Sequence, residues 1–273
     1  MRLMVLGTSS NAGKTTINAV ICRYMTRNGV DAVPYKALNL SLNSYVTDTG
    51  AEIGMGQALQ AWACGIEPEA EMNPILLKPF GGGRIQYVID GKVHSEGRRP
   101  DTQFLVDRAC AAFDRLQSEH DSVICEGSGS PVELNLMDRD IANLRMAKER
   151  DMDIILVGDI ERGGVYAALY GTWLLIPEDQ RPRVRGFIIN RFRGDDSILG
   201  PANEELERLT GMRCLGIMPY TDVLLPEEDT LSEKRGSVRF EDARKVYMES
   251  LDRLTDLAEK SLDLDYLMSL GSN

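Results

Sequence analysis

Short apolar, β-branched runs recur along the chain between stretches of helical periodicity. They are Leu3–Leu6, Ala32–Tyr35, Ser122–Cys125, Ile154–Gly158, Gly186–Asn190 and Cys214–Met218. Such short continuous runs, without polar alternation, fit strands buried on both faces, as in a parallel sheet. Strands alternating with helices predict an α/β fold, a mostly parallel sheet with helices on both faces. One segment breaks the pattern. In Tyr87-Val88-Ile89-Asp90-Gly91-Lys92-Val93 the Asp-Gly pair between β-branched residues predicts a hairpin turn, so residues 80–100 read as an excursion from the layers.

The last third changes character. The charged stretch 226–239 reads as a linker. Beyond it Phe240, Ala243, Tyr247, Leu251, Leu254 and Ala258 recur at spacings of three and four, the apolar face of a helix running to about Ser261. Asp263 is placed to cap a short final helix through Leu270, with Gly271 after it. The expected division is therefore residues 1–231 as one domain and 232–273 as linker and helical tail.

Composition narrows the class of protein. Of 273 residues 43% are apolar, enough for a sizeable core, and 31 Lys and Arg stand against 42 Asp and Glu, a net charge of −11. That balance argues against general nucleic-acid binding, which rests on phosphate neutralisation. No apolar run approaches a bilayer span, so no membrane segment is expected. Met1–Leu6 runs straight into a glycine loop without a cleavage-site pattern, so no signal peptide is read. Five scattered cysteines with no Cys-x-x-Cys pair fit reduced thiols in the cytoplasm.

The strongest chemical signal is Gly7-Thr8-Ser9-Ser10-Asn11-Ala12-Gly13-Lys14-Thr15-Thr16, after one predicted strand and opening a helix. This is the context of a P-loop. Loop amides and the helix start point at phosphates, Lys14 adds charge near the β- and γ-phosphates, and Thr15 offers a hydroxyl to Mg²⁺. One departure is visible: the plain pattern asks for glycine where Thr8 stands, and Gly7 lies one position earlier. The loop also lacks a second lysine near its start, the residue that related partitioning ATPases reach across a dimer with. A homodimer is left open.

A P-loop enzyme needs a carboxylate at a strand end to complete a magnesium shell. Glu126 ends the run Ser122–Cys125, and Asp159 ends Ile154–Gly158. Both fall at the carboxyl edge of a parallel sheet, where ligands bind. Lys36 follows Ala32–Tyr35 directly, a position from which it can stabilise developing negative charge.

With these residues in place the chain resembles the cobyric acid synthase family, ATP-dependent enzymes that amidate corrin side chains in cobalamin biosynthesis. The resemblance is carried by Gly7–Thr15, Lys36–Ser44, Gly50–Gln57, Met72–Pro79, Glu126–Pro131, Arg139–Asn143, Asp159–Val165, Gly186–Gly194 and Gly216–Pro219, in the family's order over residues 1 to about 231. Dethiobiotin synthetase, of the same P-loop class, is similar in the loop, Lys36 and Glu126 but not in the Asn-rich and Arg-Asp-Ile-Ala-Asn segments.

The resemblance implies ATP and Mg²⁺ as cofactors and a corrinoid acid as the small-molecule substrate, activated as an acyl phosphate and captured by ammonia. Lys14, Lys36, Asp138 and Asp140 become catalytic candidates. Asn39, Asn43, Gln57 and Asn143 become candidates for substrate recognition, and Asn190 for reading adenine. Thr15 and Glu126 are expected at the metal, with Glu52 or Asp48 as a third ligand. For the polar loop residues the plain alternative is capping and turn formation. The family's usual architecture adds a glutaminase domain with a Cys-His-Glu triad. Only His94 and His120 are present and Cys125, the nearest candidate nucleophile, reads as core, so that domain is expected to be absent and the ammonia to be free or to come from a separate glutaminase subunit. Residues 240–270 are similar to the family's extreme C-terminal tail, which suggests an excised middle. Two other readings stand beside this one: activation of a different acid, including a dethiobiotin-type carboxylation, and a non-catalytic ATP-binding partner module.

Overall fold

The computed structural model describes residues 1–226 and 240–270. The first half contains β1 (Arg2–Gly7), α1 (Lys14–Arg27), β2 (Ala32–Tyr35), β3 (Leu38–Leu40), β4 (Ser44–Val46), β5 (Glu52–Gly54), α2 (Met55–Ala63), β6 (Ile75–Phe80), β7 (Arg84–Ile89), β8 (Lys92–Glu96) and α3 (Thr102–Glu119). The second contains β9 (Ser122–Glu126), α4 (Leu144–Glu149), β10 (Asp153–Asp159), α5 (Val165–Leu175), β11 (Val184–Phe192), α6 (Gly200–Thr210), β12 (Arg213–Pro219), α7 (Phe240–Ser261) and α8 (Leu264–Ser269).

The six apolar runs read from the sequence become the six strands of one sheet, in the order β12-β11-β10-β1-β9-β2. Every pairing within it is parallel. Alternate residues of β1 feed two cores, as the two-residue period of a strand requires. Leu3 and Val5 pack with Ile17, Val20 and Ile21 of α1 and with Leu251, Leu254 and Ala258 of α7. Met4 and Leu6 pack on the other face with Phe113 and Leu116 of α3 and Leu169 of α5. The sheet is covered on both sides, as expected from runs without polar alternation.

The chain leaves β1 for β2, returns through β9 between them, and then crosses to β10 on the far side of β1. That reversal is the topological switch point, and in such sheets the crevice beyond the strand carboxyl ends is where ligands sit.

The excursion expected near residues 80–100 is larger than the hairpin alone. A second sheet, β3-β6-β7-β8, stands beside the first. The hairpin forms at the predicted place, with Asp90 (φ 50°) and Gly91 (φ 74°) as its two left-handed turn residues. Gly91 is also needed sterically, since a Cβ there would lie 2.3 Å from the Ala51 methyl.

The tail helix spans Phe240–Ser261 as the periodicity predicts, and Asp263 caps the last helix by accepting from the Tyr266 amide. Leu262 bridges to Gly216 of β12, whose φ of 121° and missing Cβ admit the approach; a Cβ would fall 2.1 Å from the Ser261 carbonyl oxygen. On the outer face Arg23 and Arg27 of α1 pair with Asp252, Asp256 and Glu259 of α7. Apart from Pro226, the expected linker 226–239 lies outside the described residues, as does Gly271. All five cysteines are free thiols, and among the described residues no helix is long and apolar enough to cross a membrane.

Candidate functional site

The loop between β1 and α1 is fastened from several sides. The Thr8 amide donates to the Val157 carbonyl of β10 (3.0 Å), and Asn190 Nδ2 donates to the Ala12 carbonyl (2.9 Å). Arg191 donates to the Asn11 carbonyl and to Asp159, both at 2.8 Å. Lys14, 6% exposed, folds back so that Nζ donates to the Ser9 carbonyl at 3.0 Å. The displaced glycine has its reason here: a Cβ on Gly7 would lie 2.8 Å from Lys14 Cγ, so Gly7 makes room for the lysine stem. Gly13, with φ of 99°, turns the chain into α1, and a Cβ there would meet Asn190 Nδ2 at 2.0 Å. Ser9, Ser10 and Asn11 stay exposed on the open side of the loop, and Thr16 is half-buried.

Strand register brings the acid and the second lysine together. Tyr35 pairs with Cys125 in β2 and β9, so the next residues, Lys36 and Glu126, leave the sheet side by side. Their ion pair is 2.7 Å long, with side-chain exposures of 4% and 0%. Thr15 Oγ1 donates to the same carboxylate oxygen, Oε1, at 2.8 Å. The other oxygen, Oε2, accepts from Gln60 Nε2 at 2.6 Å and from Gln57 Nε2 at 3.4 Å. Gln57 Oε1 in turn accepts from Asn39 Nδ2 (2.9 Å). Asn73 secures the Lys36 segment by donating to the Lys36 carbonyl at 3.0 Å.

The structure therefore gathers Thr15, Lys36, Glu126, Gln57 and Asn39, with Gln60, into one hydrogen-bonded cluster at the strand ends, and Lys14 precedes it in the loop. The other expected residues lie outside that cluster, and two of them, Asp140 and Asn143, line the cavity beside it while also bonding their own loop. Asp140 Oδ1 accepts from the amides of Ala142 and Asn143, and Oδ2 from that of Arg145, so its carboxylate starts the α4 turn. Asn143 clasps Ser128, accepting from its amide and donating to its carbonyl. That clasp leaves no room for a Cβ at Gly127, which would lie 2.3 Å from Asn143 Oδ1. Asp138 is exposed beside Arg139, 3.7 Å away. Asn43 uses its carbonyl to accept from the Met55 amide, ahead of α2.

Asp48 is exposed in the turn between β4 and β5. Glu52 is held by Lys78 and Ser44. Burial alone would raise its carboxyl, but the hydrogen bonds from Lys78 and Ser44 and the Lys78 charge outweigh it and hold the group below its ordinary value of 4.5. Asn190 spends both ends locally, on Ala12 and on the Arg191 amide. Cys125 is fully buried in β9, and burial with the neighbouring Cys22 pushes its thiol well above the ordinary range, an inert core cysteine.

Gln60, Asn73 and the loop clamp Arg191 went unread in the sequence. Gln60 had a signal: Gln57 and Gln60 are the polar residues of an otherwise apolar nine-residue helix, three apart and both fully buried.

Beside the cluster lies a cavity of 520 Å³, open at one side. The second sheet supplies Leu38, Leu77, Ile85 and Tyr87 to its wall, and the segment 128–143 supplies Pro131 and Met137. Ser10 of the loop and the site candidates Asp140 and Asn143 also line it, and Arg99, Arg139 and Glu133 bring further charge. Leu40 and Leu136 at the mouth are 46% and 51% exposed, so the apolar surface continues outward.

A strand, a glycine-bounded loop, Gly-Lys-Thr at a helix start and a strand-end carboxylate against the threonine define a P-loop nucleotide-binding domain. Residues 3–231 match the family described as the CobQ/CobB/MinD/ParA nucleotide binding domain, and the chain belongs to that family. A "Probable cobyric acid synthase" of Methanoculleus marisnigri is 47% identical over 282 residues, covering 100% of this chain and 57% of the relative. The "Cobyric acid synthase" of Clostridium perfringens strain SM101 is 44% identical over 260 residues, covering 93% and 53%. A "Probable cobyric acid synthase" of Archaeoglobus fulgidus is 47% identical over 235 residues, covering 84% and 51%. The chain thus spans about half the length of these curated relatives. Among solved structures, chloroplast FtsY from Physcomitrella patens aligns with a TM-score of 0.48 at 15% identity, covering 91% of this chain and 64% of that one.

Proposed function

We propose that the chain is the ATP-dependent part of a cobyric acid synthase, converting side-chain carboxylates of a corrinoid to amides. The observation that carries this reading is the meeting of Thr15 and Lys36 on one oxygen of Glu126, beside a loop that holds Lys14 and whose Ser10 also lines a large, mostly apolar cavity. The family likeness supplies the substrate class.

A carboxylate resists ammonia because oxide is a poor leaving group. Transfer of the γ-phosphoryl group of ATP to a carboxylate oxygen releases ADP and leaves an acyl phosphate. Ammonia then attacks the acyl carbon, the amide forms and phosphate departs. The loop amides and Lys14 hold the triphosphate and spread its charge. Lys36, a fixed cation beside the loop, is assigned to the carboxylate being activated. The corrin lies along the apolar wall with its edge toward Ser10. Asn190, near the end of β11, is assigned to reading the adenine, and residues 1–231 to the ATP-dependent domain.

The donor set fits a magnesium ion. Thr15 and Glu126 bring two hard oxygen atoms within 2.8 Å of each other, and the Gln60 amide that holds the other Glu126 oxygen has its own oxygen, Oε1, buried without a partner. Thr15 and Glu126 would hold the ion, which supplies charge neutralisation at the phosphates. The ammonia is taken from solution or from a glutaminase.

The test is to incubate the protein with cobyrinic acid a,c-diamide, ATP, Mg²⁺ and ammonium, and to follow ADP and amide products by mass spectrometry. Corrinoid-dependent ADP release with amide formation is expected. With ammonium salts alone the rate should climb with pH, because free ammonia is the nucleophile. ADP release driven by a diamino acid and bicarbonate, with no response to corrinoid, would replace this reading with a carboxylation.

A further inference from the structure

Gln60 is buried completely, and its two amide atoms are treated very differently. Nε2 donates to Glu126 Oε2 at 2.6 Å and to the Thr15 carbonyl at 3.3 Å. Oε1 is buried with no hydrogen-bond partner among the described residues. The amide cannot be turned round to cure this, because both Nε2 contacts are acceptors and a carbonyl there would face a carboxylate. An unsatisfied buried oxygen forfeits the bonds it would make to water, and such groups in native proteins call for an explanation.

We infer that Gln60 is a positioning residue for the divalent cation. Through Nε2 it fixes Glu126 Oε2, which leaves Oε1 as the oxygen turned toward Thr15. Through Oε1 it offers an acceptor to the hydration shell that magnesium retains when it binds. This rests on the proposed nucleotide and metal site but assigns within it a role to a residue of α2, outside the loop.

The geometry favours Gln60 over its neighbour. Gln57 reaches Glu126 only at 3.4 Å, and its oxygen is already taken by Asn39. Gln60 also touches the backbone of Thr15, so one side chain ties together both residues assigned to the ion. Lys36 and Thr15 sit on the opposite carboxylate oxygen and do not duplicate this hold.

The experiment titrates Mn²⁺ into the full chain saturated with ADP and reads the free ion by electron paramagnetic resonance. Metal-free ADP affinity and thermal midpoint are measured alongside. For Gln60→Met, nearly the same size without the amide, Mn²⁺ affinity should fall at least about tenfold while metal-free ADP binding changes less than about twofold. Gln60→Asn, which draws the amide back by one methylene, should give the same split and guards against a folding defect in the first variant. A folded variant of either kind whose Mn²⁺ affinity stays within about threefold of wild type overturns the assignment. Equal losses with and without metal overturn it too, because they mark a structural role. If the wild-type chain binds no ADP at all, the nucleotide site itself has failed.

Discussion

The Thr15 hydroxyl donates to Glu126 at 2.8 Å, joining residues 111 positions apart. The contact follows from sheet order, because β9 lies directly beside β1 and both strands end at the same edge. A P-loop threonine and a strand-end acid are thereby held at hydrogen-bond distance by parallel register.

The Lys36–Glu126 pair is buried on both sides, so removing one partner strands the other. Glu126→Gln should destabilise the protein by about 3–5 kcal/mol and abolish metal-dependent turnover. Lys36→Met should also destabilise, and the double variant should lose less than the sum of the singles. Urea unfolding of the four proteins measures the coupling. Strict additivity would show that the pair contributes no interaction of its own.

Lys14→Ala removes the cation folded against Gly7 and bonded to the Ser9 carbonyl. Nucleotide turnover should drop by about a hundredfold or more, since the lysine neutralises charge that grows during phosphoryl transfer. Circular dichroism should show the fold retained. Unchanged turnover in a folded variant would point to a binding module.

Gly13→Ala places a methyl where Asn190 Nδ2 already sits, on a backbone with φ of 99°. Both faults act on the same turn, so the loop must shift and release Ala12 from Asn190. Nucleotide affinity, read by fluorescence with a labelled ADP, should fall by more than about tenfold, with a loss of stability of about 1–3 kcal/mol.

The seam between α1 and α7 predicts a pH effect. Burial pushes the Asp252 carboxyl up, but hydrogen bonds and charge from Arg23 and Arg27 win, and it sits below its ordinary value of 3.8. A lowered native value means that the unfolded chain binds the proton more readily. The seam's contribution is therefore complete above 3.8 and fades as pH falls through the native value. Asp252→Asn should lower stability at neutral pH, and in chemical unfolding the gap to wild type should narrow as pH falls below 3.8 and vanish below the lowered native value. A constant gap would mean that the charge is not the cause.

The six-stranded sheet was legible because each strand is buried on both faces and so writes a plain apolar run. Three-residue strands such as Leu38–Leu40 and Glu52–Gly54 write no period, and the second sheet went mostly unread. At the site, Lys14, Thr15 and Glu126 announced themselves by position. Asp140 and Asn143 did not divide into recognition and capping by residue type, since both uses draw on short polar side chains. Only the amides of Ala142, Asn143 and Arg145 around Asp140, and Ser128 against Asn143, settle where their polar atoms go. Gln60 hid because its partner is 66 residues away.

The loop at residues 7–16 is moored to β10 and β11 by protein contacts alone, through Val157, Asn190 and Arg191. Phosphates entering it need not freeze a wandering segment, so little binding energy is diverted to conformational entropy. Under the proposed function, selectivity then falls to the cavity side, where the acid must be brought up to a rigid donor.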